Sequence, residues 1–156
     1  MSKPIPLSAE NRLPFETTLH VRDHCLCLHV QRAARALARR FDEALRPFEL
    51  TNQQFSLLMS LNRPQPPSLG PVANLLAMDR TTLTAALKPL ERRGLVSVDS
   101  DPDDRRSRLL TLQPAGHALL LLAVPTWERV HREVDALLPG TDPDRFRHDL
   151  RALSQP

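Results

Sequence analysis

MDRTTLTAALKPLERRGLVSVDSDPDDRRSRLLTL, residues 78–112, changes periodicity part-way along. Its first half is helical. Leu83, Ala86, Leu87 and Leu90 recur at steps of three and four and mark an inward face, while Arg80, Thr81, Thr84, Ala85 and Lys88 fall opposite. Asp79 is placed to cap the start, where a carboxylate suits the positive helix end, and Gly94 to supply the left-handed residue that stops it. The helix is expected over Arg80–Arg93, bent after Lys88 because Pro89 removes one backbone hydrogen bond. The second half alternates. LVSVDS (95–100) and RLLTL (108–112) read as two short strands, so the charged run between them is a hairpin tip.

That tip, DPDDRRSR (101–108), sets Asp101, Asp103 and Asp104 directly against Arg105, Arg106 and Arg108. A charge run is most often just a solvated loop. Beside a helix whose outer face is small, hydroxylic and basic, an arginine tip gives a second contact at a fixed separation. Small residues let a helix sink into the major groove, and arginine suits the narrow, strongly negative minor groove. Asp104 is expected to orient the Arg106 guanidinium while the other acids shape the turn. The candidate DNA-facing set is Arg80, Thr81, Thr82, Thr84, Lys88, Asp104, Arg105, Arg106 and Arg108.

Upstream, Leu26, Val30, Ala33, Leu37, Phe41 and Ala44 make one long helix expected from Thr17 to Arg46, ended by Pro47. Thr51 and Gln54 form a capping box ahead of Phe55, Leu58 and Leu61. NRPQPP (62–67) is a loop. Ser68 is placed to cap a helix over Leu69–Ala77 with Leu69, Val72, Leu75 and Leu76 inward, and Met78–Asp79 make a tight turn. Two short helices, a turn and a hairpin form a winged helix-turn-helix. Downstream, Pro114 opens a helix whose face is Ala118, Leu119, Leu122 and Ala123, kinked or interrupted at Pro125 and continued by Trp127, Val130, Val134 and Leu137. Asp142 and Pro143 start a last helix with Phe146, Leu150 and Leu153 as its stripe. The fold class is mainly α with a small β-hairpin wing (α+β).

The chain of 156 residues suffices for one domain with a real core, and 41% hydrophobic and 25% charged residues are those of a globular protein. A net charge of +3 does not by itself mark a nucleic-acid binder; the clustering of the 21 Lys and Arg residues matters more. No apolar run is long enough to span a bilayer and the start lacks a secretion signal, so no membrane partner is expected. Cys25 and Cys27 are too few and too close for a disulfide framework, which fits a reducing cytoplasm.

The stretch 78–116, closed by Leu112 and an alanine–glycine step at Ala115–Gly116, resembles the MarR family of bacterial transcription regulators. Asp104 and Arg106 fall on the family's Asp-x-Arg wing signature; Gln113 stands where the family usually has a helix-capping threonine. The resemblance covers roughly residues 20–153. It implies a homodimer bound to a pseudo-palindromic operator, often as a repressor released by a small ligand such as an aromatic acid. The expected organisation is a flexible arm at 1–16, a helical dimerisation region at 17–50 and 113–156, and a DNA-binding domain at 51–112. The stripe of Trp127, Val130, Val134, Phe146, Leu150 and Leu153 has no obvious place in a small winged-helix core, and dimer burial would explain it. Two-fold symmetry would space the recognition helices roughly 34 Å apart.

HCLCLHVQRAARALARRF (24–41) resembles the peroxide-sensing branch of the same family, with Cys27 on its reactive cysteine. Two tyrosines that bond the sulfur there are matched here by Phe41 and Asn52. Cys25 and Cys27, about 200° apart on a continuous helix, are not expected to bridge within it. They are candidates for redox or effector sensing, against the plainer reading of Cys27 as a small buried hydrophobe. His20 with His24 and Cys25 with His29 are spaced i,i+4, but two ligands per face make an incomplete metal set, and no cofactor is expected. A Gly-rich phosphate loop and a nucleophile with an obvious base are lacking, so an enzyme is not expected. The alternative to a specific regulator is a winged-helix protein-interaction or architectural module without operator preference.

Overall fold

The computed structural model describes residues 12–154. The chain divides into two compact units, Met1–Leu37 and Ala38–Pro156. In the first, α1 (Phe15–His24) and the start of α2 (Leu26–Leu45) replace the single helix expected from Thr17, and α1 takes the last residues of the proposed arm. Residues 1–11 of that arm lie outside the described residues. The break falls at Cys25, whose ψ of 102° is extended. Its sulfur then acts as a cap, accepting from the Leu28 N–H at 3.4 Å. Sequence periodicity runs through this point because a break of one residue does not disturb the apolar spacing.

The second unit holds the rest of α2, α3 (Asn52–Ser60), α4 (Leu69–Leu75), α5 (Arg80–Arg92), β1 (Val96–Ser100), β2 (Arg108–Leu112), α6 (Pro114–Asp135) and α7 (Pro143–Leu153). β1 and β2 pair antiparallel, with Val96 opposite Leu112 and Ser100 opposite Arg108. Ser68 bridges to Leu109, so the segment before α4 lies along the wing's outer edge. The core gathers Leu45, Phe55, Leu57, Leu58, Val72, Leu83, Leu87, Leu90 and Leu110, all nearly inaccessible.

Local chemistry sets most boundaries. Thr51 and Gln54 make the reciprocal capping box of α3. Three turns share one stop signal: Glu49, Ala77 and Gly94 have φ of 53°, 51° and 66°. In each, the next N–H reaches back five residues: Leu50 to Leu45, Met78 to Ala73 and Leu95 to Leu90. Asp142 caps α7 through the Asp144 N–H at 2.9 Å.

Several expectations change. Pro125 lies inside α6 and does not interrupt it, and α5 runs on past Pro89 to Arg92. The buried face of α6 is Gly116, Leu120, Ala123 and Val130, spaced four, three and seven, whereas Leu122 is 66% exposed. Trp127 packs against the core and Val130 is buried within this chain, so neither waits for a partner. Ser68 precedes α4 without a side-chain cap bond, and Leu75 faces outward at 60% exposure. Gln113 makes no cap bond either; its amide donates to Ser97 Oγ at 2.8 Å and fastens the helix start to the wing.

Candidate nucleic-acid interface

Asp79 begins the candidate surface. Its carboxylate accepts from the Thr82 N–H at 2.8 Å and from the Thr82 hydroxyl at 2.6 Å. The Thr82 hydroxyl bond, followed by backbone N–H bonds, holds the Asp79 carboxyl below the usual carboxylate range, so the cap stays ionised at neutral pH. Leu83, Leu87 and Leu90 anchor α5 from beneath. Arg80, Thr81, Thr82, Thr84, Ala85 and Lys88 are all exposed. A shallow groove of about 320 Å³ runs along this outer face, lined by Arg80, Thr81, Thr84, Ala85 and Lys88.

The wing tip is ordered by its acids, though not as expected. Asp104 accepts from the Arg106 backbone N–H at 3.0 Å, and its carbonyl accepts from the Ser107 N–H at 2.8 Å. Asp101 does the same for the Asp103 N–H at 2.9 Å. Asp104 therefore shapes the turn rather than aiming the Arg106 guanidinium, a role that short acidic side chains fill well. Arg108 bonds Ser100 Oγ across the strands at 2.9 Å, while Arg105 and Arg106 point to no carboxylate among the described residues.

Sequence reasoning passed over two features. Arg93, the last residue before the stop of α5, donates to the Glu49 carbonyl at 2.7 Å and the Phe48 carbonyl at 3.4 Å. Only the fold brings residues 44 and 45 positions apart together, so no local signal announces it. An aromatic row also crosses the unit: Phe55 stacks on Trp127 at 6.0 Å, Trp127 meets His131 at 4.2 Å, and His131 meets Phe41 at 4.9 Å. Beside it opens a cleft of about 350 Å³ lined by Phe55, Ser56, Met59, Ser60, Leu75, Val124 and Trp127. Phe41, matched to a sensing tyrosine by resemblance, is buried in this row, and Asn52 donates its N–H to Asp42 at 2.6 Å.

Burial, then the Arg147 guanidinium, lowers the His131 pKa from its usual 6.5, and Asp135 opposes them. Arg147 is itself held to Asp135 at 2.6 Å. A histidine lowered on folding takes up protons more readily when unfolded, so stability is full above the ordinary value and declines as pH falls below it. His131→Phe should remove that decline. The difference in melting temperature between wild type and variant should therefore change on acidification through pH 6.5, which thermal melts across that range would read.

In the first unit, Cys27 is exposed and Cys25 half-buried. Gln31 Nε2 lies 3.2 Å from the Cys27 sulfur. Because Cys25 is not helical, the helical separation that argued against a bridge between the two does not apply. His24 Nδ1 lies 2.8 Å from the His20 carbonyl and His29 Nε2 3.2 Å from that of Asp23, so one nitrogen of each ring is engaged by backbone. Among the described residues no group of three or more His, Cys, Asp or Glu could hold a metal ion, and no helix is long and apolar enough to cross a membrane.

A helix-turn-helix with its reading helix exposed and a basic-tipped wing beside it defines the winged helix-turn-helix class of DNA-binding folds. The MarR family model matches residues 50–107. The transcriptional activatory protein BadR of Rhodopseudomonas palustris is 39% identical over 89 residues, 54% of this chain and 51% of BadR, so the match spans about half of that relative. The M. tuberculosis transcriptional regulator MosR, solved in complex with DNA, is 39% identical with a TM-score of 0.77, covering 85% of this chain and 95% of MosR. Bordetella bronchiseptica BpsR, whose DNA binding is regulated by 6-hydroxynicotinic acid, is 29% identical with a TM-score of 0.71, covering 84% of this chain and 94% of BpsR. The chain belongs to the MarR family of winged-helix transcriptional regulators.

Proposed function

We propose that this chain is a cytoplasmic, homodimeric regulator that binds a pseudo-palindromic operator and acts as a repressor released by a small ligand or by thiol oxidation. One observation carries the DNA reading. Arg80, Lys88, Arg105 and Arg106 are exposed and make no ion pair among the described residues. These four lie on the outer face of α5 and at the tip of the wing that follows it. The division proposed is a winged domain at 51–112 on a dimer base of 17–50 and 113–156. Leu26 (58% exposed), Phe146 (42%) and Leu153 (59%) supply apolar surface for a second copy. Selection from a random duplex library tests the core of this reading: a recurring palindromic motif is expected, and equal affinity for all duplexes would overturn it.

The cleft beside Trp127 suits a flat aromatic ligand. It is lined by no cation, so an aromatic acid would lay its ring on Phe55 and Trp127 and leave its carboxylate toward solvent. Such a ligand would touch α3, α4 and α6 together and so bias the reading helix. The thiol route rests on exposed Cys27. Mild peroxide should release the wild type from its selected operator and leave Cys27→Ser bound. Equal binding before and after peroxide would leave the cleft as the sensor.

A further inference from the structure

Resting on the reading of α5 as a helix that enters a DNA groove, we infer that Thr84 and Ala85 read the 5-methyl group of a thymine at one fixed position in each half-site. The argument begins with protons. A threonine hydroxyl has one to give, and Thr84 gives it to the Arg80 carbonyl at 2.7 Å. Thr82 likewise gives its own to Asp79 at 2.6 Å. Ala85 has none. Around Thr84 and Ala85 the groove therefore offers methyl groups and acceptor lone pairs, while its donors stand on Arg80, Thr81 and Lys88.

The four bases differ in what they can do with such a surface. Guanine presents two acceptors in the major groove, N7 and O6, and would meet carbon with both unsatisfied. Thymine presents a methyl group and one acceptor, and the adenine paired with it presents an amino group. An A·T pair thus lays its methyl on the Thr84–Ala85 floor and turns its adenine amino group toward the lone pair of Thr84. Guanine and phosphate fall to the cations, Arg80 and Lys88. A threonine bonded back to its own helix is common and is often inert, so the test must separate its methyl from its hydroxyl.

The full-length protein is taken through selection on a random-sequence duplex library. In the most enriched duplex each thymine is then replaced in turn by deoxyuridine, which removes the methyl alone. One thymine per half-site should prove sensitive, with wild-type affinity falling about fourfold per half-site, the worth of one buried methyl group. Thr84→Val keeps the methyl and should keep the discrimination. Thr84→Ser keeps the hydroxyl and should lose most of it. Thr84 is exposed, so both variants are expected to melt like the wild type. An enriched motif that tolerates deoxyuridine everywhere, or a Thr84→Ser variant as discriminating as wild type, overturns this inference and leaves operator binding standing. Failure to enrich any motif overturns the groove-entering helix and the inference with it.

Discussion

Gly116→Ala should lower the thermal unfolding midpoint by roughly 5–10 °C, a loss of about 2–3 kcal/mol in a chain of this size. A β-carbon at this position would sit 2.4 Å from the Leu95 carbonyl oxygen and 2.6 Å from Leu112 Cδ1. The carbonyl cannot step aside freely. It accepts from the Gln113 N–H at 2.9 Å, at the junction where the wing hands over to α6. Leu95 and Leu112 are both buried, so the clash is transmitted to the base of the hairpin rather than absorbed by solvent. The glycine is needed for close approach and not for backbone freedom, since it lies within the first turn of a regular helix. Calorimetry on Gly116→Ala beside Gly140→Ala would check this. The second site offers open space, and any cost there comes from its φ of +81° alone. A Gly116→Ala midpoint equal to wild type would mean that the helix and wing can separate without loss.

Arg106→Ala should weaken operator binding by roughly 1–3 kcal/mol, about fivefold to 150-fold. Arg106 is exposed, makes no ion pair among the described residues, and has its backbone fixed by Asp104. Little tip ordering therefore remains to be done on binding. Fluorescence anisotropy against the selected operator at several salt concentrations would measure both the affinity and its salt slope. A guanidinium that neutralises phosphate should also take roughly one ion from the slope when removed. Wild-type affinity and slope in the variant would place the wing outside the groove.

How far the sequence could be read depends on the range of each interaction. The capping box of Thr51 and Gln54, the Asp79 cap and the Gly94 stop involve neighbours three or four residues apart, and each stands where the chain's own chemistry puts it. The exposed face of α5 follows from the same spacing. Features made by tertiary packing were not legible. Leu75 is turned out into the cleft because Val72 and Ala73 hold the buried face of α4. Leu122 is turned out because Leu120 and Ala123 face the core. Ala77 holds a left-handed conformation without being glycine, so its turn lacked the usual marker. At the tip, composition alone could not distinguish an acid holding a guanidinium from one holding the backbone N–H beside it.

The bonds from Arg93 to the Glu49 and Phe48 carbonyls fasten the far end of α5, which would serve as the pivot for any tilt of the helix. The helix is 13 residues long, so its other end, where Arg80 stands, lies about 20 Å away. A swing of about 10° about the pivot would carry Arg80 by roughly 3.5 Å, close to one base-pair step along the duplex. If α5 enters a groove as proposed, this guanidinium at its opposite end would set the tilt at which the helix meets the base pairs.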